Sequence, residues 1–467
     1  MIFNTIEFVI FLVAVFILYW RFFSKSNTSQ NILLLIAGYF FYSWWSWKFL
    51  LLFIATSLID FYAAQKIEQH EDVKKRKLFL GFSLGGNLLV LGFFKYYNFF
   101  VTEFANLFHL NPGNFTLNII LPLGISFYTF QAMAYTIDVY RKTTKAETNL
   151  LTYLLYSSFF PQMLSGPIER ANRLMGQFRV KREFSYAQAA KGLELMLFGY
   201  LKKVVLADNL AMIADRGFSF PNNYHGPDVA IAVLCFTFQI YCDFSGYTDI
   251  ARGVARLFGF ELIKNFNNPY FAENINDFWR RRHISLSTWF RDYLYIPLGG
   301  NKKGKAKTTF NIILVFAVSG LWHGASRTFL AWGLYHGFLS ALNRLLNIKI
   351  QFPKPIKIFF TFLIVAFGLI FFRAASMPDA FKVIGNLFSS GGSFTVLNGI
   401  LNLKLLLLFT TLFVVLVIER LNEVRPGLFH SLFSKKFFKY SSYYYAILLI
   451  IALGVYNNAP NFIYFQF

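Results

Sequence analysis

Residues 309–346 read TFNIILVFAVSGLWHGASRTFLAWGLYHGFLSALNRLL, and between Thr309 and Asn343 the only charged side chain is Arg327. A bilayer core about 30 Å thick takes roughly 20 helical residues to cross. The stretch therefore predicts two spans, 309–325 and 328–346, that turn back on one another at Ser326-Arg327. The spans echo each other, Gly320-Leu-Trp-His-Gly324 recurring as Gly333-Leu-Tyr-His-Gly337. Glycines four apart let helices approach closely, and each copy sets an imidazole at that crowded point.

Outward from this pair the same character fills the chain. Of 467 residues, 56% are hydrophobic and 15% charged, against roughly 25% charged in a soluble domain. Further apolar runs fall near 2–20, 32–47, 49–64, 78–97, 119–139, 192–207, 228–247, 356–372, 402–419 and 443–457. The expected fold is an all-α polytopic membrane protein, one integral domain over 1–467, with about 12 transmembrane helices. The first run lacks a basic leader and a small-residue cleavage site, so it reads as a retained helix.

Loop charge orients the spans. With residue 1 outside, the loops at 21–31, 65–77, 140–149, 248–308, 347–357 and 420–442 lie inside and hold most of the Lys and Arg. The loops at 98–118 and 457–467 lie outside and contain neither residue. Segment 166–191 carries six basic residues and would fall outside if 150–165 crossed. A re-entrant 150–165, reversed at Pro161 and Gly166-Pro167, removes that conflict. Both chain ends are then outside. The stretch 261–308 is basic and crowded with aromatics, the mark of interfacial helices on the cytoplasmic side.

The net charge of +22 sits between spans, where it meets anionic headgroups, and no nucleic-acid partner is expected. Cys235 and Cys242 are too few for a disulfide framework or a four-cysteine zinc site. Gly81-Phe-Ser-Leu-Gly85 matches a nucleophile elbow by letters alone, since an elbow needs a strand-turn-helix setting. His-Glu-x-x-His is absent, and no metal is expected.

Four of the seven histidines, His70, His109, His225 and His430, fall in loops or at span ends. His283 lies in the aromatic inside segment, and His323 and His336 lie in spans. A desolvated imidazole stays neutral and can take a hydroxyl proton as general base. The plainer alternative is two packed histidines, each donating one hydrogen bond to a neighbouring helix. His323 stands 15 residues beyond Thr308, or about 22 Å up its helix, far from the basic loop.

Five stretches carry a resemblance: Leu121–Gln131, Phe160–Ile168, Tyr241–Asp249, Asn268–Gly300 with Phe278-Trp-Arg-Arg-Arg-His-Ile-Ser-Leu-Ser-Thr-Trp-Phe-Arg-Asp292 inside it, and Leu321-Trp-His-Gly324. Together they resemble the bacterial branch of the membrane-bound O-acyltransferases, on the side that O-acetylates alginate, over roughly residues 30–345. The resemblance implies that His323 is the catalytic residue and His283 the second channel histidine. It further implies a substrate channel lined by Asn276, Trp279, Arg282, Ser285, Trp289, Arg291, Asp292 and Trp322. Where this chain has Arg282, the family more often carries an aromatic. His336 matches no catalytic position.

The implied reaction moves an acyl group, expected to be acetyl, across the membrane from a cytoplasmic thioester, acetyl-CoA or an acyl-carrier protein. It ends on a hydroxyl of an exported polysaccharide or of a periplasmic partner. No tightly bound cofactor is expected, and the location is the inner cell membrane. Transfer of D-alanine to teichoic acid is the alternative within the class; a transporter or flippase is the alternative outside it. An oxyanion stabiliser is also required, with backbone amides near Gly320 or Gly324, or Asn276, as candidates.

Overall fold

The computed structural model describes every residue except Ser165, 347–351, 393, 399–401, 457–461 and 466–467. All regular elements among the described residues are helices. Five are long and apolar enough to cross a membrane: Trp47–Gln69, Val73–Leu107, Pro227–Leu257, Lys354–Arg373 and Asn402–Val424. The other predicted spans also fall on helices, several of them shorter or broken by a wide π turn. The run at 119–139 becomes helical only from Ile125, because Gly124 holds a left-handed φ of 73° just before it. Of the predicted outside loop 457–467, residues 457–461, 466 and 467 lie outside the described residues.

Two compact units divide the chain. One comprises Met1–Glu194 with Ala251–Ile263, the other Leu195–Ile250 with Lys264–Phe467.

In the first unit, polar side chains staple apolar helices. Ser83 Oγ donates to Asp60 Oδ1 at 2.6 Å, and Asn87 Nδ2 donates to the same oxygen at 2.8 Å. Ser83 is thus a buried donor in mid-helix, without the strand-turn-helix setting of an elbow; Gly81 and Gly85 face open space, so close helix packing does not account for them. Arg182 is buried among Tyr19, Asn27 and Asn31, donating at 2.8, 2.6 and 2.7 Å. The expected re-entrant stretch is a nine-residue helix, Leu150–Ser158. That length rises only about 14 Å. Phe159 turns out of it at φ −60°, ψ 101° into the four-residue turn Phe160–Met163; Ser165 lies outside the described residues.

In the second unit, the helices Gly304–His323 and Arg327–Leu346 form the hairpin read from their sequence. A β-carbon on Gly320 would overlap the Phe329 carbonyl, and one on Gly333 would overlap that of Phe316. The glycine pairs therefore permit the crossing. The stretch 264–308 breaks into short helices, Ile275–Arg281, Ile284–Phe290 and the π turn Arg291–Tyr295. Another π turn, Leu201–Ala207, places Lys202 and Lys203 in the interior. Such bulges recur at functional sites.

Candidate functional site

His323 is the last residue of its helix, Gly324 capping it. From Gly304 the helix climbs about 29 Å, which sets His323 at the end remote from the Lys302–Lys307 run. His283 caps the start of Ile284–Phe290 in a left-handed conformation, φ 47°. That conformation is costly for a side chain with a β-carbon. Its neighbours hold it: Ile284 N donates to Asn265 O at 2.9 Å, and Ser285 donates to Asn265 Oδ1 through both N and Oγ.

These two elements bring His283 and His323 together, with 6.4 Å between ring centroids. Aromatic rings close around them. His323 meets Trp322 and Trp332 at 5.0 Å each, Phe372 at 5.4 Å and Tyr464 at 5.5 Å. His283 meets Phe244 at 4.7 Å and Tyr464 at 6.1 Å. Only 2% of His283 and 3% of His323 is exposed. Burial first, and the Arg282 charge second, hold the His283 imidazole well below the ordinary histidine range. A neutral ring of that kind can accept a proton.

His336 joins the same box through Trp332, at 5.1 Å, and packs against Trp279, also at 5.1 Å. Neither of its ring nitrogens has a hydrogen-bond partner among the described residues. The expected single hydrogen bond to a neighbouring helix is therefore absent; Nε2 abuts Gly368, whose β-carbon would lie 3.1 Å away.

The predicted channel residues divide into three groups. Asn276, Trp279 and Arg291 line a cavity of about 640 Å³, together with Arg280, Ser340 and Arg344. Arg282 and Trp322 belong to the aromatic box, Arg282 lying over the Phe278 and Trp279 rings at 5.7 and 5.9 Å. Ser285, Trp289 and Asp292 line neither. Ser285 braces the loop at Asn265, Trp289 lies tilted against Tyr293 at 5.2 Å, and Asp292 pairs with Arg291 at 2.7 Å. The cavity reaches Ser319, one helical turn short of His323, with Trp279 as the wall between it and His336. Of the oxyanion candidates, the Gly324 amide is spent on the Gly320 carbonyl at 3.2 Å, and Asn276 faces the cavity rather than the histidines.

Phe244, Trp332, Phe372 and Tyr464 went unread as site residues. Phe244 lies inside the quoted Tyr241–Asp249 stretch and Trp332 one turn before His336, so both had a signal. Tyr464 had none; its place is set by a contact 220 residues distant in the chain, Ile463 N donating to Asp243 Oδ2 at 2.8 Å.

The model of the MBOAT, membrane-bound O-acyltransferase family matches residues 145–355. A probable alginate O-acetylase of Pseudomonas putida is 41% identical over 370 residues, 78% of this chain and 75% of that protein. A peptidoglycan O-acetyltransferase of Helicobacter pylori is 37% identical over 401 residues, 79% and 76% of the two chains. A teichoic acid D-alanyltransferase of Bacillus subtilis is 31% identical over 244 residues, 50% of this chain and 61% of that protein. The family match covers the short helices and the hairpin that bear His283 and His323, and relatives align across three quarters of their own length. This chain belongs to the membrane-bound O-acyltransferase family and is an acyltransferase.

Proposed function

We propose that the protein transfers an acetyl group from a cytoplasmic thioester to a hydroxyl on an exported polysaccharide or a periplasmic partner, with His323 as general base. The carrying observation is the buried pair, His323 against His283, one helical turn beyond a cavity rimmed by Arg280, Arg291 and Arg344. The names of the Pseudomonas and Helicobacter relatives support an O-acetyl acceptor on a polymer. About twelve crossings of the inner membrane, with 261–308 on the cytoplasmic side, suit a donor arriving from within. The three guanidinium groups suit its phosphates, whether on coenzyme A or on a carrier.

In the reaction the acceptor oxygen attacks the thioester carbonyl carbon while His323 takes its proton. The carbonyl π pair moves onto oxygen. Collapse restores the carbonyl and breaks the C–S bond, and the departing thiolate takes the proton from the imidazolium. Ester and thiol leave; His323 is neutral again. Aromatic walls exclude water, which would otherwise hydrolyse the donor.

The test is transfer of label from radiolabelled acetyl-CoA in membranes bearing intact protein or His323→Ala at equal expression. Label reaching polymer only with the intact protein supports the reading; equal transfer by both removes His323 from it. The similarity to the Bacillus protein favours D-alanyl transfer as second reading, and a D-alanyl carrier thioester is the donor to compare.

A further inference from the structure

Lys203 and Asp243 are buried side chains of the second unit, 2% exposed each. Lys203 Nζ lies 2.8 Å from Asp243 Oδ1 and donates to Asp208 Oδ1, also at 2.8 Å. Ion pairs placed at membrane depth are costly to desolvate and tend to mark function. The reaction just described does not use this one.

Asp243 has a second task. Its Oδ2 accepts from Ile463 N at 2.8 Å. That bond ties down a short helical turn, Ile463–Phe465. On either side of the tie, rings lock the turn in place: Phe462 stacks on Tyr247 at 4.4 Å, and Tyr464 meets Phe244 at 4.5 Å. Tyr464 is the side chain that closes the box over both histidines, 5.5 Å from His323 and 6.1 Å from His283. Asp243 thus stands one residue from Phe244, which touches His283, and holds the backbone next to Tyr464.

We propose that Asp243, fixed by Lys203, is a positioning residue for acyl transfer: it anchors the turn at Ile463 and so seats Tyr464 over His323 and His283. The proposal rests on the histidine site being the reacting centre. The lysine is needed because a carboxylate buried among rings would otherwise lack a counter-charge, and Lys203 sits in the π turn Leu201–Ala207, all of whose residues are buried. The rings at Phe462 and Tyr464 pack the turn, and the Asp243 bond fixes its backbone between them.

Ile463→Pro tests the tie with little else disturbed. It removes the donor N–H and leaves the Lys203–Asp243–Asp208 ion pairs intact. Proline also suits the first position of a helical turn. Asp243→Asn keeps an acceptor oxygen and serves as the conservative partner. Two readouts are taken on purified, detergent-solubilised protein: kcat and KM for the thioester donor, and the rate of His323 modification by diethylpyrocarbonate, read by peptide mass spectrometry against exposed His430. Expected for Ile463→Pro are a kcat lowered at least tenfold, an unchanged donor KM, and His323 modified at least ten times faster. Asp243→Asn is expected to lie between Ile463→Pro and the intact protein on both scales. Unchanged kcat with unchanged His323 protection in Ile463→Pro overturns the proposal, as does a change confined to donor KM. The modification rate needs no substrate. If exposure rises while no variant and no intact protein transfers acetyl, the anchor stands and the acetyl reading fails.

Discussion

The indole of Trp332 stands edge-on to His323, ring planes at 90° and centroids 5.0 Å apart, while its other side meets His336 at 5.1 Å. One fully buried side chain is therefore a wall for both imidazoles of the hairpin. Trp332→Ala is expected to cost about 3–5 kcal/mol of stability and to lower acyl transfer at least tenfold. Trp332→Phe should retain most of both. Thermal unfolding in detergent and transfer assays on the two variants check this.

The two histidines of the sequence echo should separate cleanly. On the proposed mechanism, His323→Gln is expected to lower kcat by about 10²–10⁴-fold. His336 has no hydrogen bond among the described residues, so His336→Phe buries less polarity and keeps the ring. It should leave kcat within about threefold and stability equal or higher. Loss of transfer in His336→Phe with a normal unfolding midpoint would give His336 a chemical role.

Arg282 is 4% exposed, and no carboxylate pairs with it among the described residues. By contrast Arg281 binds Asp277 and Glu423 at 2.9 and 2.5 Å. A desolvated cation without counter-ion destabilises a fold. Arg282→Met should therefore raise stability by about 1–3 kcal/mol while lowering kcat at least tenfold. The guanidinium is then retained for the charge that develops on substrate oxygen. A stabilised variant with full activity would end that assignment.

Glu169 supplies a pH test outside the spans. Burial pushes its carboxyl up from 4.5 to about 7, against the Ile263 N–H that donates to it at 2.5 Å. A raised carboxyl favours the folded state below pH 4.5, where both states are protonated, and loses that advantage as pH climbs towards 7. Glu169→Gln should flatten the fall in unfolding temperature between those values. Above pH 7.5 it should be the more stable protein, by something on the order of 2–3 kcal/mol. Parallel curves for the two proteins would show that Glu169 ionises freely.

The helices were legible because the bilayer imposes one composition on all of them, and the hairpin because its glycines recur at a fixed spacing. His283 and His323 were legible through the resemblance, which carries sequence order but not direction of side chains. That is why Ser285, read as a channel residue, proves to brace Asn265, and why Trp289 and Asp292 lie off the cavity. The closing turn at Phe462–Tyr464 was not legible. Its position depends on one backbone N–H finding Asp243, and nothing in the local pattern of either segment announces the other. Lys203 was hidden for a related reason, since every residue of Leu201–Ala207 is buried and only tertiary contacts decide that.

The nine residues of Leu150–Ser158 carry a consequence for how the protein is made. Too short to halt in a membrane alone, the segment offers the insertion machinery no recognisable stop. What holds it is tertiary: Tyr153 tilted against Tyr135 at 5.0 Å, and Gln131 Nε2 donating to the Tyr156 carbonyl at 2.8 Å. Those partners lie on Ile125–Tyr140, which is synthesised first. Leu150–Ser158 is therefore expected to settle as a passenger, only once Ile125–Tyr140 is in place beside it.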